Sequence, residues 1–315
     1  MESFHRPTGR DGLDPATDAA PKVTSEASGS AQPAIRVGCW GARGSIPAPG
    51  PATAQYGGNT PCLEVRLGDE LVIVDAGTGI RGLGASILAE QDAPRASIFL
   101  THFHWDHIQG FPFFQPLYNP ASSLRIIAPK QLDLDVQTLF AGQMGPIYFP
   151  VPYEAVTAQV EFGHLNEGSL EEGELSISAM RVRHPSYTVG YRIERAGKSL
   201  VYIPDNELAG HDPARFKEAR QRLVNFIGDT DVLIHDSMFT DEEYSAKIGW
   251  GHSTFRQTLE LADEAGVKRL FFFHHAPDRE DSELSQIVAE RRDEAASRGF
   301  GFKVDAASEG DEILI

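Results

Sequence analysis

Four residues of metal-binding type lie within six positions of the chain, in the segment His102-Phe103-His104-Trp105-Asp106-His107. The apolar residues before it, 98–100, predict a buried strand that ends at Thr101. Side chains alternate between the faces of an extended segment, so His102 and His104 are expected to point the same way. If the chain then turns, Asp106 and His107 can approach the same point. Imidazoles and a carboxylate packed this densely are costly to bury without a partner, and one or two divalent metal ions would supply it.

Three further residues of the same type follow predicted strands in the second half of the chain. They are His184 after residues 180–183, Asp205 after residues 202–204, and His274 after residues 271–273. Sites on α/β scaffolds are usually built where a strand leaves the core and a loop begins. Each of the three, taken alone, is more readily a structural histidine or a turn-capping aspartate. Together with the first cluster they predict one metal-binding constellation.

The composition limits the classes of partner. The 315 residues include 28 Lys and Arg against 45 Asp and Glu, a formal net charge of -17. This charge disfavours large nucleic acids, which need a basic face, but it leaves room for a small anionic substrate at a metal site. Cys39 and Cys62 could form one bridge at most, and free buried thiols are the expectation. No run approaches the ~20 apolar residues of a membrane span, and no secretory signal is apparent, so we expect a cytoplasmic protein without a membrane partner.

The chain divides at about residue 34. Residues 1–34 are rich in Ala, Ser, Thr, Pro, Gly and Asp, which predicts a disordered segment that is dispensable for chemistry. Residues 35–315 predict one α/β domain in which two packed sheets are enclosed by helices. The predicted strands are 35–40, 62–67, 71–75, 98–101, 124–128, 175–182, 188–194, 200–203, 232–234 and 269–273, and the predicted helices are 77–89, 130–141, 213–226, 253–265 and 282–298.

The order of these motifs resembles that of a known family. It runs His102-x-His104-x-Asp106-His107, then His184 with Gly190-Tyr191-Arg192 behind it, Asp205, Gly251-His252-Ser253-Thr254, and His274 with Pro277 soon after. This set resembles the metallo-β-lactamase superfamily, and within it the phosphodiesterase branch that includes ribonuclease Z, over roughly residues 35–315. The resemblance implies the αββα four-layer sandwich of that superfamily and a tendency to form homodimers.

The resemblance also implies a dinuclear zinc site, for which Mn²⁺ is an alternative metal. One ion would be held by His102, His104 and His184, the other by Asp106, His107 and His274, and Asp205 would bridge both together with a hydroxide. Imidazole and carboxylate ligands suit Zn²⁺ independently of the resemblance. His275 directly follows His274 and is the alternative ligand at that position, although the family pattern places the ligand first.

Asp106 and His252 are the predicted catalytic residues. The family assigns a general acid to the histidine of Gly251-His252-Ser253-Thr254, and hydrolysis of a phosphodiester requires a proton on the leaving oxygen. The alternative is that His252 only caps the helix that follows. Asp236 could orient a histidine of the site.

Two glycine-rich loops, residues 41–47 and 56–60, are predicted to rim the site. Arg43, Ser45 and Asn59 are the candidate substrate-binding residues, with Arg43 placed to pair with a phosphate. The alternative is a rigid turn with a solvated Arg43. These two loops are more elaborate than those of ribonuclease Z. They look more like the loops of a bacterial group of phosphodiesterases of this fold, some of which act on cyclic nucleotides.

Three functions compete at this point. The first is hydrolysis of small phosphodiesters, with cyclic nucleotides as the leading substrate class. The second is a tRNA 3′ endonuclease of the ribonuclease Z kind, which uses a basic protruding arm. Between His107 and His184 the only lysines and arginines are Arg125, Lys130, Arg181 and Arg183, so no basic arm is apparent there. The third is a metal-binding regulatory protein without hydrolytic activity. Hydrolysis of a lactone or a thioester lies between these functions, since the same metal ions would polarise the carbonyl group of such a substrate.

Overall fold

The computed structural model describes residues 35–132 and 134–315, so the predicted disordered segment 1–34 lies outside it. Its strands form two seven-stranded sheets. Those of the first sheet are β1 Arg36–Gly41, β2 Cys62–Leu67, β3 Glu70–Val74, β4 Arg95–Phe99, β5 Ser123–Ala128, β6 Gln159–His164 and β14 Glu312–Leu314. Those of the second are β7 Gly168–Glu172, β8 Leu175–Arg181, β9 Val189–Arg195, β10 Lys198–Ile203, β11 Val232–Asp236, β12 Arg269–Phe273 and β13 Lys303–Ala306.

The strand order in the first sheet is β14-β1-β2-β3-β4-β5-β6, and in the second it is β13-β12-β11-β10-β9-β8-β7. The helices are α1 Gly79–Glu90, α2 Trp105–Ile108, α3 Val136–Gln143, α4 Pro213–Ile227, α5 Asp241–Tyr244, α6 Phe255–Glu264 and α7 Asp281–Arg298. Short 3-10 turns occur at Pro51–Thr53, Phe111–Phe113, Gln115–Tyr118 and Tyr153–Ala155. No described helix has the length and apolar character that crossing a bilayer would require.

Alternation along the strands explains why the two sheets pack face to face. On β3, Val72 and Val74 belong to the core between the sheets, whereas Leu71 and Ile73 face α1 and α3 on the outside. Residues of α4, α6 and α7 cover the outer face of the second sheet in the same way. The result is an αββα four-layer sandwich, as predicted. Cys39 and Cys62 are buried free thiols, also as predicted.

Two parts of the predicted secondary structure are wrong. The helix expected at 130–141 begins only at Val136, because the Asp135 side chain accepts a hydrogen bond from the backbone N of Thr138 and fixes the helix start there. Strands β6, β7, β13 and β14 were not predicted from the sequence. β6 and β7 are edge strands without a fully buried residue, and their apolar residues are too few to predict a strand: Val160 and Phe162 in β6, and Leu170 in β7.

The strand directions bring the ends of several strands to one edge of the sandwich. β3 and β4 are parallel in the first sheet, and β10, β11 and β12 are parallel in the second. The carboxyl ends of parallel strands lie at the same edge of a sheet, and ligand sites in α/β folds form there. Asp75 follows β3, Asp205 follows β10, Asp236 ends β11, and His274 follows β12.

Candidate metal centre

A single helical turn after β4 gathers the first cluster of candidate ligands. His104 has extended backbone angles (φ −65°, ψ 151°) and precedes α2, which contains Asp106 and His107. The turn that the sequence analysis required is therefore present. His102, Asp106 and His107 are buried, and His104 is exposed.

The two oxygens of Asp205 face two separate groups of side chains. Oδ2 lies 3.5 Å from His102 Nε2 and 3.5 Å from His184 Nε2. Oδ1 lies 3.1 Å from His107 Nε2 and 3.3 Å from His274 Nε2. Asp205 thus stands between two clusters, one on each of its oxygens.

Each cluster is completed by one further residue. In the first, His104 Nδ1 lies 3.0 Å from His184 Nε2. In the second, Asp106 Oδ2 lies 3.1 Å from His274 Nε2 and also accepts a hydrogen bond from the backbone N of Ser45 at 2.7 Å. The structure brings together all seven ligands predicted from the sequence, grouped as His102, His104, His184 and Asp205, and as Asp106, His107, Asp205 and His274.

Asp75 fixes the tautomers of two of these histidines. Its Oδ2 lies 2.8 Å from His107 Nδ1, and because a carboxylate can only accept, Nδ1 carries the proton. Thr101 donates its hydroxyl proton to Asp75, so the contact of 3.1 Å between Thr101 Oγ1 and His102 Nδ1 is donated by the histidine. In its neutral form, each imidazole therefore turns an Nε2 lone pair toward Asp205.

His184 is oriented from the other side. Its Nδ1 lies 3.0 Å from the carbonyl oxygen of Gly251, which leaves the Nε2 lone pair for the cluster. Gly251 has φ +90°, and a Cβ at this position would lie 2.2 Å from His184 Nδ1. The glycine of the Gly-His-Ser-Thr motif is therefore required for this close approach.

The electrostatics of the clusters suit a cation. Burial lowers the pKa of His104 to about 4 and that of His184 to about 3, which keeps both imidazoles neutral and able to ligate. His102 Nε2, His107 Nε2 and Asp205 Oδ1 are buried and have no hydrogen-bond partner among the described residues. Lone pairs and carboxylates that converge without donors are the arrangement a divalent ion stabilises. The clusters could therefore hold metal ions.

His274 and His275 are clearly distinguished by their surroundings. His274 Nε2 faces Asp106 and Asp205, and its backbone adopts φ +60°. The imidazole of His275 points elsewhere, where Nε2 donates to the carbonyl oxygen of Ala307 at 2.8 Å, and burial lowers its pKa to about 3. The geometry therefore favours His274 over His275 as the ligand-type residue.

His252 lies beside the second cluster. Its ring stacks on that of His274 with centroids 4.8 Å apart, and its Nδ1 lies 3.2 Å from Asp236 Oδ2. Burial disfavours the charged imidazole, but the carboxylates of Asp236, Asp205 and Asp106, with Asp236 the strongest of them, together outweigh burial and raise the pKa of His252 to about 9. The alternative capping role is wrong, because Thr254 caps α6 in a capping box with Gln257.

The three candidate substrate-binding residues are not equivalent. The phosphate contact predicted for Arg43 is wrong: its guanidinium is fully buried and donates to the carbonyl oxygens of Gly57, Ala276 and Arg279. The alternative of a solvated Arg43 is equally wrong. Asn59 donates to Glu309 at 2.9 Å. Ser45 is exposed at the rim, with φ +65° and its backbone N–H on Asp106.

Apart from Asp236, the supporting residues around the ligands were not predicted from the sequence. Asp75 has φ +64° and accepts hydrogen bonds from Thr101, His107 and Tyr202, the last at 3.0 Å. Its signal in the sequence was a carboxylate directly after the apolar strand 71–74. The same position after a strand was the reason for predicting Asp205, His184 and His274.

Comparison with known proteins identifies the family. The sequence model of a protein family, the β-lactamase superfamily domain, matches residues 71–275, which are more than half of the chain. The chain belongs to the metallo-β-lactamase superfamily, which confirms the resemblance seen in the motifs, and it is a metal-dependent hydrolase.

Individual relatives place it in the ribonuclease Z-like branch. It is 30% identical over 258 residues to ribonuclease Z of Lacticaseibacillus casei, covering 69% of this chain and 79% of that protein. It is 28% identical over 213 residues to ribonuclease Z of Limosilactobacillus reuteri, covering 56% of this chain and 69% of that one. The metallo-β-lactamase fold protein YhfI of Bacillus subtilis shares the fold, with a TM-score of 0.65, 19% identity and coverage of 89% of this chain and 98% of that chain.

Proposed function

We propose that this protein hydrolyses small phosphodiesters, with cyclic nucleotides as the leading substrate class. Two divalent ions would be held by the seven residues of the candidate metal centre, with Asp205 between them. Nitrogen ligands from histidine and oxygen ligands from aspartate suit Zn²⁺, and Mn²⁺ is the alternative.

The observation that carries the proposal is the division of contacts at Asp205. One carboxylate oxygen faces His102 and His184, and the other faces His107 and His274. Three of the atoms that would bind metals, His102 Nε2, His107 Nε2 and Asp205 Oδ1, have no hydrogen-bond partner among the described residues. A single-metal or structural site would not require a carboxylate to present each oxygen to a separate set of imidazole lone pairs.

The chemistry follows from the residues around this point. Two bound metal ions would neutralise charge on the phosphate and lower the pKa of a water molecule. His252 donates Nδ1–H to Asp236 and keeps its second proton on Nε2, the atom that would protonate the leaving oxygen. Asp236 maintains the charged imidazole, since it raises the pKa of His252.

The charge of the chain supports a small substrate. Only four lysines and arginines occur between His107 and His184, and the formal net charge is -17, whereas a long polyanion is held by many phosphate contacts. The alternative is an endonuclease acting on tRNA, which the ribonuclease Z relatives favour. Hydrolysis rates measured with both kinds of substrate distinguish the two functions.

Metal content is the first test. Purified protein, dialysed against metal-free buffer, should retain close to two equivalents, and Asp205→Ala should lose at least one. His274→Gln should also lose metal, whereas His275→Gln is the matched control, because the imidazole of His275 donates to the Ala307 carbonyl and does not face the cluster. A fully active protein with one metal or none would contradict the dinuclear centre.

Substrate class is the second test. Initial rates should be measured with cyclic mononucleotides and dinucleotides, bis(p-nitrophenyl) phosphate, pre-tRNA, a lactone and a thioester. We expect the highest kcat/KM among the small phosphodiesters. Faster cleavage of pre-tRNA at its 3′ end would establish the alternative, and activity confined to the lactone or thioester would reject both.

A further inference from the structure

Two of the three tryptophans of the chain are largely exposed, and both lie next to residues of the candidate metal centre. Trp105 is 60% exposed and directly follows His104. Trp250 is 57% exposed and directly precedes Gly251, whose carbonyl oxygen lies 3.0 Å from His184 Nδ1. Single exposed apolar residues are ordinary on protein surfaces, but large ones gathered at a candidate site indicate a binding surface.

A short series of contacts connects the two tryptophans. His104 Nδ1 lies 3.0 Å from His184 Nε2, and His184 Nδ1 lies 3.0 Å from the carbonyl oxygen of Gly251. Trp105 directly follows the first residue of this series, and Trp250 directly precedes the last. His104 is exposed, so the first cluster is open to solvent beside Trp105. The two tryptophans, which we call the tryptophan pair, therefore border the exposed side of the first cluster.

Trp250 is held by a loop that is anchored on both sides. Gly249 donates its backbone N–H to Glu207 Oε1 at 2.7 Å, and Gly251 is held through its carbonyl oxygen. Both glycines have positive φ angles, +88° and +90°, which other residues rarely adopt. The ammonium of Lys247 lies 3.9 Å from the centre of the Trp250 ring and restrains it. Trp250 stays mostly exposed despite this contact, which leaves ring surface for a ligand.

The aromatic character of the two exposed side chains indicates the class of ligand. An indole presents a flat face, and aromatic rings stack on such a face in offset or tilted arrangements. Nucleobases stack on aromatic side chains with little dependence on which base is present. A tryptophan also loses little conformational freedom when a ligand binds, because its side chain has only two rotatable bonds. The tryptophan pair therefore suits a nucleobase.

We propose that Trp105 and Trp250 bind a nucleobase of the substrate by stacking, while the scissile phosphodiester lies at the candidate metal centre. The inference rests on the proposed function and narrows it to phosphodiesters of nucleosides. One sugar separates the base from the phosphate in a nucleotide, so the base must be bound close to the metal-binding residues. Trp105 adjoins His104, and Trp250 adjoins the residue that is bonded to His184.

The rate test compares two substrates that differ only in the base. One is the p-nitrophenyl ester of thymidine 5′-monophosphate, and the other is its abasic counterpart, in which a methoxy group replaces the base at C1′. Both release p-nitrophenolate, so the ratio of their kcat/KM values reports the base alone. Wild-type protein should favour the nucleoside ester about tenfold, the scale of one stacked base. The ratio should approach one in the double variant Trp105→Leu/Trp250→Leu, and an unchanged ratio would overturn the proposal.

Trp250→Leu alone is a second variant, because it changes no residue adjacent to a candidate ligand. It should lower the ratio in the same direction by a smaller factor. The double variant Trp105→Phe/Trp250→Phe keeps an aromatic face at both positions and should retain most of the preference for the base. A loss in the phenylalanine variant equal to that in the leucine variant would contradict stacking.

Ile46→Ala is the matched control for general apolar contact. Ile46 is 59% exposed and follows Ser45, whose backbone N–H is bonded to Asp106, so it is an exposed apolar residue at the same site. It has no aromatic face, and its loss should leave the ratio unchanged. A decrease equal to that in the double leucine variant would assign the preference to an apolar rim and overturn the proposal.

A binding measurement does not depend on turnover. Thymidine 5′-monophosphate and 2-deoxyribose 5-phosphate are titrated into metal-loaded protein by calorimetry. We expect the wild type to bind the nucleotide about tenfold more tightly, and the double leucine variant to bind both ligands with similar affinity. The nucleotide should also quench the tryptophan fluorescence of the wild type. The double leucine variant retains only Trp40, whose Nε1 donates to Glu64, and its fluorescence should not change.

The outcomes distinguish this proposal from the proposed function. Equal affinities of the wild type for the two ligands would overturn the stacking of a base. A lower molar mass of the double leucine variant in light scattering would also overturn it, because the tryptophan pair would then contact a second copy of the chain. Absence of turnover for every phosphodiester, with the affinity difference intact, would instead reject the proposed function alone.

Discussion

Asp75 and Asp236 are fully buried carboxylates at the ends of strands in opposite sheets, yet their surroundings differ. Asp75 accepts hydrogen bonds from Thr101, His107 and Tyr202, using both oxygens. Asp236 uses Oδ2 alone, which accepts hydrogen bonds from the backbone N–H groups of Asn206 and Ser253 and from His252. Its Oδ1 has no hydrogen-bond partner in the described part of the chain.

Because of this difference, Asp75 and Asp236 act on different histidines of the same site. Asp75 bonds to the side of His107 that faces away from the cluster and so fixes which nitrogen is available as a ligand. Asp236 bonds to a histidine outside the two clusters around Asp205 and raises its pKa. Under the proposed function, the first carboxylate would support metal binding, and the second would support proton transfer. The predictions that follow change one side of this comparison at a time.

The largest effect is expected from His252→Ala, which removes the group that Asp236 holds. The variant should keep its metals but hydrolyse a phosphodiester with a poor leaving group ~10²–10⁴-fold more slowly, the usual scale of general acid catalysis. The loss should be smaller for bis(p-nitrophenyl) phosphate, because p-nitrophenolate leaves without protonation. Equal losses for both substrates would contradict the acid role, and loss of metal would move His252 into the ligand set.

Asp75→Asn should affect the metals instead. An amide cannot accept from Thr101 and His107 with both of its terminal atoms, so the orientation of His107 or His102 is lost. Metal affinity should fall ~10–100-fold, as found when such supporting groups are removed. Competition with a chelator measures the change. Asp231→Asn is the control, since Asp231 is also bonded to a backbone N–H, that of Ser199, but lies at the opposite end of β11.

Some of this division could be predicted from the sequence. Candidate ligands such as His184, Asp205 and His274 were recognisable because each follows an apolar strand and because the motifs occur in a characteristic order. Asp75 has the same position after a strand, but an aspartate there is common, and its partners His107 and Tyr202 are distant in sequence.

The prediction for Arg43 was wrong in the opposite way, because it assigned a substrate contact to a residue that is structural. A glycine-rich loop with one arginine predicted contact with a phosphate, but the guanidinium is enclosed by carbonyl groups of Ala276 and Arg279, more than 230 positions away. The burial of that loop depends on packing between the two ends of the chain. Local composition therefore could not distinguish a buried structural arginine from one that binds substrate.

Asp236→Asn should change the pH dependence more than the metal affinity. The carboxylate holds the pKa of His252 above its ordinary value, so its loss lowers that pKa. A general acid must be protonated, and the variant loses the proton at lower pH than the wild type. The pH above which kcat falls should therefore move down, with a rate loss of about tenfold near neutral pH. An unchanged upper limb would show that Asp236 does not set the protonation of His252.

The smallest effect is expected from Tyr202→Phe, which removes one of the donors to Asp75. Thr101 and His107 still bond to the carboxylate, so metal affinity should fall only a few-fold, within ~1 kcal/mol of binding free energy. Tyr191→Phe is the matched control, because Tyr191 is equally buried and its hydroxyl donates to the Leu100 carbonyl at 2.6 Å. Both variants should lose about 1 kcal/mol of unfolding free energy in urea titrations, whereas only Tyr202→Phe should weaken metal binding. If both variants weaken it equally, Tyr202 acts through the packing of the core, and the support that Asp75 gives to the ligands does not depend on its hydroxyl.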